Sequence, residues 1–141
     1  MIQRLQSLWL LVAAALGVIS LKTSFYSGHR IRDLVPKPVV FLTGSYNILL
    51  IMCTTVVAVL AVVAIFLYRN RKLQGRLGIV ALVLSVLAIG LYFWQSKSFV
   101  PGESSYDLTA VLPLAIPVFL FLAVRGIYRD EKLVRSADRL R

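Results

Sequence analysis

Apolar positions gather into four uncharged runs, residues 5–21, 46–68, 77–94 and 108–124, and none of the four contains Asp, Glu, Lys, Arg or His. A helix that crosses the hydrocarbon core of a bilayer needs about 20 apolar residues, with a workable range of about 17–25. All four runs meet that length. They are apolar throughout rather than at alternate positions, which excludes the strands of a transmembrane barrel. Within lipid the backbone must bond to itself, so continuous apolar runs become helices. The pattern predicts an all-α membrane protein. A four-transmembrane-helix bundle occupies residues 1–128, and a basic tail over 129–141 forms a short amphipathic C-terminal helix.

Flanking polar residues mark the ends of the runs. Ser45 or Asn47 can cap the second helix and Asp107 the fourth, each offering an oxygen to N–H groups that lack a partner in the first turn. Trp9, Tyr46, Tyr68, Tyr92, Trp94 and Tyr128 lie near run ends, where amphipathic rings favour the membrane interface; packing against a neighbouring helix is the alternative for each. Between the first two runs, Pro36 and Pro38 exclude helix. The apolar VVFL at 39–42 is expected to lie along the interface or over the mouth of the bundle, with a brief strand pairing open to it. VPGESSYD at 100–107 reads as a turn. The first run also has features of a secretory leader, with Arg4 ahead of an apolar stretch and small residues at Ala13–Ala15. It lacks the polar region that should follow, and cleavage after Ala15 would leave an apolar LGVISL at the new end.

Composition agrees with the pattern. Of 141 residues 59% are apolar and 16% charged, against about 45–50% and about 25% in soluble domains, and the mean hydropathy is +0.82. These values exclude a disordered chain and an ordinary globular enzyme. A single cysteine, Cys53, forms neither an internal disulfide nor a paired redox centre and reads as a small apolar residue. A single histidine, His29, excludes bis-histidine haem ligation and leaves a zinc site short of ligands; it reads as a solvated loop residue.

Charge decides orientation. The net charge is +10, from 16 Lys and Arg against 6 Asp and Glu. With four spans, both termini share a side with the connection at 69–76, and that side holds 11 of the cations: Arg4, Arg69, Arg71, Lys72, Arg76, Arg125, Arg129, Lys132, Arg135, Arg139 and Arg141. Lys22, Arg30, Arg32, Lys37 and Lys97, 5 in all, fall on the other. The positive-inside rule then places both termini in the cytoplasm, and the expected location is a bacterial inner membrane.

The runs carry little chemistry. Ionisable residues within spans mark proton relays and ion paths, and these have none, which argues against a proton-coupled exporter. Their hydroxyls, Ser7, Ser20, Thr54, Thr55, Ser85 and Thr109, read as packing elements, the alternative being the lining of a neutral-solute path. Ala13–Ala15, Gly17, Ala58, Ala61, Ala64, Gly78, Ala81, Ala88 and Gly90 are expected to permit close helix approach. Pro113 and Pro117 are candidate kinks in the fourth helix. No catalytic triad, glycine-rich phosphate loop or metal cluster is evident, so no enzyme, cofactor or metal is expected. Short basic blocks mixed with acids argue against nucleic acid.

The tail, RGIYRDEKLVRSADRLR from Arg125, places Leu133, Ala137 and Leu140 on one helical stripe beside Val134, with Lys132, Arg135, Arg139 and Arg141 around it. It reads as a continuation of the fourth helix or as a separate helix after a bend at Gly126. Asp130 and Glu131 would weaken a purely lipid-binding patch and suit specific ion pairs; pairing of either with Arg4 is expected. The candidate contact surface for a partner or for anionic headgroups is therefore Arg4, Arg69, Arg71, Lys72, Arg76, Asp130, Glu131, Lys132, Arg135, Arg139 and Arg141.

The opening MIQRLQSLWLLVAA, the central IFLYRNRKLQGRL and the closing LAVRGIYRDEKLVRSADRLR together resemble a family of uncharacterised four-span inner-membrane proteins typical of Bacteroidota. The closing DEKLVRSADRLR is the most specific part. The resemblance implies the four-span architecture and supplies no catalytic or ligand residues. The expected role is a non-enzymatic scaffold or accessory subunit that offers its basic cytoplasmic face to a protein partner or to a second copy. The alternatives are a small transporter or channel component, and a protein that binds anionic lipid.

Overall fold

The computed structural model describes residues 2–29 and 39–138, with side chains over 5–29, 39–134 and 136. Four helices carry the chain: α1 (Ile2–Ser20), α2 (Ile48–Phe66), α3 (Arg71–Ser96) and α4 (Val111–Asp138). All four expected runs are helical. Ile48–Phe66, Arg71–Ser96 and Leu108–Val134 are long and apolar enough to cross a membrane by length and composition, whereas Leu5–Ser20 within α1 is a shorter apolar helix. Helix α1 packs on α2 and α4, and α3 packs on the same two.

Burial advances along each helix by alternate steps of four and three residues. The buried positions are Gln6, Leu10, Ala13, Gly17 and Ser20 on α1, and Leu50, Thr54, Val57, Ala61 and Ala64 on α2. On α3 they are Gln74, Gly78, Ala81, Ser85, Ala88 and Tyr92, and on α4 Ile116, Leu120, Ala123, Ile127 and Asp130. A mean step of about 3.5 residues keeps one seam facing the neighbours of helices that cross at a shallow angle. Small side chains fill much of these seams and bring backbones together. A Cβ on Gly17 would sit 3.2 Å from that of Ala58, and one on Gly78 would lie 2.7 Å from Val124 Cγ2. Large side chains such as Met52, Val59, Phe66, Val83, Leu87, Val118 and Phe121 point away from the seams and are exposed. Small inside and large outside is an arrangement compatible with lipid as the surrounding medium, where close backbone packing replaces the hydrophobic effect between helices.

Hydroxyls within the helices turn back to their own backbones. Thr54 Oγ1 donates to the Leu50 carbonyl (2.6 Å), Ser85 Oγ to Leu82 (2.7 Å) and Ser20 Oγ to Gly17 (2.8 Å). Asn47 caps α2, accepting from Leu49 N at 3.3 Å, while Ser45 donates to the Leu21 carbonyl instead. Asp107 takes the capping position of a 3-10 turn, Leu108–Ala110, ahead of α4 but bonds no turn N–H. Its Oδ1 accepts from Ser27 Oγ at 2.9 Å, which corrects the expected cap. Asn70 Oδ1 accepts from Leu73 N at 3.3 Å, so α3 starts at Arg71 and the expected loop over 69–76 shrinks to the residues between Phe66 and Arg71. Helix α4 continues unbroken through Gly126, so the amphipathic C-terminal segment is its extension. Pro113 falls in the first turn of α4, where N–H groups have no intrahelical partner, and Pro117 lies in the interior.

The all-α expectation needs one correction. β1 (Ser24–Gly28), β2 (Val40–Thr43) and β3 (Ser105–Tyr106) form an antiparallel sheet in the order β2-β1-β3. Helices α1 to α4 bring two connections to one end of the molecule, where their backbone groups satisfy one another across strands. Tyr26 stands opposite both Leu42 and Tyr106. Beneath the sheet lies a second core of Phe25, Leu42, Leu50, Tyr92, Phe99 and Ala110. Phe25 stacks on Tyr92 (ring centroids 4.7 Å apart) and meets Phe93 edge-on (5.5 Å). Gly44 permits the chain to cross here, since a Cβ would lie 2.7 Å from the Ser20 carbonyl oxygen and 2.9 Å from the Tyr92 hydroxyl. Of the rings expected at an interface, Tyr92 is buried in this core and Trp9 stacks on Phe119, while Tyr68, Trp94 and Tyr128 are exposed. Cys53 is half-buried. His29 is half-buried rather than solvated, its carbonyl accepting from Val100 N at 2.8 Å. Pro36 and Pro38 lie outside the described residues.

Gly78→Val should force α3 and α4 apart and lower stability by about 1–3 kcal/mol through overpacking. Gly90→Ala, at a site with open space around it, should hold or raise stability by up to about 1 kcal/mol. Thermal melts of the detergent-purified protein check both, and equal effects would contradict the seam. In the same assay Phe25→Ala should cost about 3–5 kcal/mol and open the sheet region to protease.

Candidate functional site

The seams finish on polar groups at one end of the helices, where α1 and α3 begin and α2 and α4 finish. Arg69, Arg71, Arg76, Arg125 and Arg129 gather around this arginine end. Asp130 occupies the seam step after Ile127 and is only 7% exposed. Its Oδ2 accepts a 2.6 Å hydrogen bond from Gln6 Nε2. Burying a carboxylate without a donor is strongly unfavourable, and bonds to an ionised acceptor are short and strong. Gly126 gives Gln6 its place: a Cβ there would meet Gln6 Cγ at 2.9 Å. Arg71 Nη1 donates to the backbone carbonyl of Asp130 at 3.4 Å. One residue of α4 thus joins α1 through its side chain and α3 through its backbone.

A second buried amide closes the end of α2. Gln74 Nε2 donates to the Ala64 carbonyl at 2.9 Å. That carbonyl belongs to the last turn of α2, where carbonyls lack intrahelical partners. Leu67 N and Asn70 N close the Val63 and Leu67 carbonyls at 3.2 and 3.0 Å. The turn between α2 and α3 is thereby fixed to both helices.

Outside this polar layer lies a pocket of about 490 Å³, lined by Arg69, Asn70, Arg71, Lys72, Glu131 and Val134. Three of these are cations and one is an acid, and the first turn of α3 contains no acidic residue. The positive end of the α3 dipole adds to the same sign. Chemically the pocket suits an anion. A hollow of about 370 Å³ at the sheet end, lined by Phe25, Phe93, Tyr106, Asp107, Leu108 and neighbouring apolar residues of α4, has only the Asp107 carboxylate as an ionised group, and Ser27 engages it.

The expected surface is therefore partly assembled. Arg69, Arg71, Lys72 and Glu131 share the pocket, with Asp130 behind it. Arg76 and Lys132 are exposed and do not line it. The side chains of Arg4 and Arg135, together with Arg139 and Arg141, lie outside the described residues, as does the expected pairing of Arg4. Among the described residues the donor to the Asp130 carboxylate is Gln6. Gln6 and Gln74 were not among the expected site residues. The signal that finds them is the seam itself: stepping back from Ala13 and Leu10 reaches Gln6, from Ala81 and Gly78 reaches Gln74, and stepping on from Ala123 and Ile127 reaches Asp130.

With this geometry in hand, a comparison with protein families is informative. The family model of a domain of unknown function, DUF4293, matches residues 2–140. The chain belongs to this family. Membership agrees with the expected uncharacterised family over nearly the whole length. No curated protein matches the chain. The family assigns no role to any residue, so roles follow from the contacts above.

Gln6→Ala should strand the Asp130 carboxylate and lower stability by about 1–3 kcal/mol. Gln6→Leu combined with Asp130→Leu removes both polar partners and should recover most of that loss. Melting temperatures of the single and double variants decide, and a double variant no better than the single one would disprove the pairing.

Proposed function

We propose that the chain is a four-span integral protein of a bacterial inner membrane, with both termini in the cytoplasm. It serves there as a non-enzymatic scaffold or accessory subunit whose arginine end meets a protein partner. The apolar outer surfaces of the helices support the membrane placement, and 11 of 16 cations on one side support the orientation. The observation that carries the scaffold reading is the tie of Gln6, Asp130 and Arg71. It holds the beginnings of α1 and α3 and the extension of α4 as one rigid charged face, beyond which Leu133 and Val134 remain exposed. A transport path would need hydroxyls turned toward a shared cavity. Thr54 and Ser85 bond their own helices, Thr109 bonds the Ser24 carbonyl and Thr55 is exposed on the outer face, which favours the scaffold over the transporter.

Alkaline phosphatase fused after Arg141 should be inactive in cells, and the enzyme inserted at 102–104 should be active; the reverse result removes the orientation. A photoreactive residue at Lys132, which lies outside the pocket, should yield a discrete protein adduct in native membranes, and one at Leu108 should not. Adducts at Leu108 alone would remove the scaffold role.

A further inference from the structure

We infer that the pocket at the arginine end is a headgroup site for one anionic glycerophospholipid, in which Arg69, Arg71 and Lys72 hold the phosphodiester. The site rests on the membrane placement proposed above. Three observations point to it. First, Arg71 is anchored at the rim of the pocket. Among the described residues its Nη1 donates to a neutral group, the carbonyl of Asp130, while the Asp130 carboxylate accepts from Gln6. A guanidinium has five donors in a planar fork that matches a phosphate. Anchored through one nitrogen, Arg71 keeps a fixed position with the rest of its fork to offer.

Second, the cations converge on the N-terminus of α3 at the rim of an open pocket. Arg71 and Lys72 occupy the first turn of the 26-residue α3, whose N–H groups precede the first intrahelical bond and favour an anion. With Arg69 from the preceding turn and Glu131 opposite, the lining carries a net charge of about +2, from three cations and one carboxylate. A volume of about 490 Å³ is of the size that takes a small molecule rather than a bare ion.

Third, an exposed apolar surface of α2 ends at the turn that carries Arg69. Phe66, 75% exposed, closes α2, and Tyr68, 56% exposed, immediately precedes Arg69. Val59, Val62 and Val63 continue the exposed apolar surface back along α2. An amphiphile can lay its chain along this surface with its charge in the pocket; an acidic peptide would match the charge and leave the apolar approach unused. Basic pockets at the ends of spanning helices recognise headgroups in this way.

The test uses the full chain in detergent and native mass spectrometry with added phosphatidylglycerol, cardiolipin or phosphatidylcholine. The anionic lipids should bind saturably, and phosphatidylcholine should not. Arg69→Gln, Arg71→Gln and Lys72→Gln together should weaken binding about fivefold per cation, on the order of a hundredfold for all three. Arg125→Gln with Arg129→Gln, which removes exposed charge outside the pocket, should leave it within about twofold of the parent. Equal binding of phosphatidylcholine, or equal loss in both variant sets, would overturn the site. Competition by inorganic phosphate at the concentrations that saturate lipid would reassign the pocket to a free phosphate and likewise overturn it. Circular dichroism identifies a triple variant that fails to fold; Arg71→Lys then serves, with a smaller loss expected and none overturning the site. Carbonate washing separates the two readings. A chain released from membranes refutes the membrane placement, whereas a chain that stays but shows no headgroup preference refutes only the site.

Discussion

Close approach of helix backbones is the constraint on which the rest of the structure depends. Ala13, Gly17, Ala58, Ala61, Gly78, Ala81, Ala88 and Ala123 give the seams so little bulk that neighbouring helices approach closely: a Cβ on Gly17 would lie 3.8 Å from both the Ala58 Cα and the Thr54 carbonyl oxygen. Dispersion contacts are individually weak and accumulate only when atoms touch along the whole length. Two consequences follow. Many large side chains, Met52, Phe66, Leu87 and Phe121 among them, form the outer surface. Gln6, Gln74 and Asp130, the polar side chains that enter the seams at the arginine end, find their partners within the protein.

The polar layer at the arginine end obeys the second consequence. Gln6 meets the Asp130 carboxylate and Gln74 meets the Ala64 carbonyl, both buried. The division of labour between Asp130 and Glu131 comes from their helical phase. Asp130 falls on the seam and becomes a structural anchor; Glu131, one residue on, turns to the pocket beside Arg69, Arg71 and Lys72. The charged face is thus fixed by hydrogen bonds from neutral amides, and three cations against one carboxylate line the pocket where the chain turns from α2 to α3.

The opposite end is closed by aromatic packing. Phe25 sits between Tyr92, Phe93 and Tyr106, so one strand residue links α3 to the connection that leads into α4. The three short strands derive their stability from this core beneath them, since so small a sheet has little of its own. The two ends therefore use different means, charge-assisted hydrogen bonds at one and ring contacts at the other, to hold the same set of helices in register.

Uncharged runs at 46–68, 77–94 and 108–124 by themselves determined α2, α3 and α4 to within a few residues, except where Asn70 and the charged tail let helices run on past the apolar limit. The physical reason is that apolar length and backbone self-bonding are local properties of the chain. The small residues at Ala13 and Gly17 and at Ala58, Ala61 and Ala64 were also legible in the sequence, whereas the burial of Gln6, Gln74 and Asp130 was shown by the structure. Which of these would meet was decided only by tertiary structure, because Gln6 and Asp130 are 124 residues apart in the chain and nothing local relates them. The sheet was equally hidden: Ser24–Gly28 and Ser105–Tyr106 become strands once the helices bring them side by side. Asp107 shows the same limit in miniature, its sequence position promising a cap and its neighbour Ser27 in space supplying a better donor.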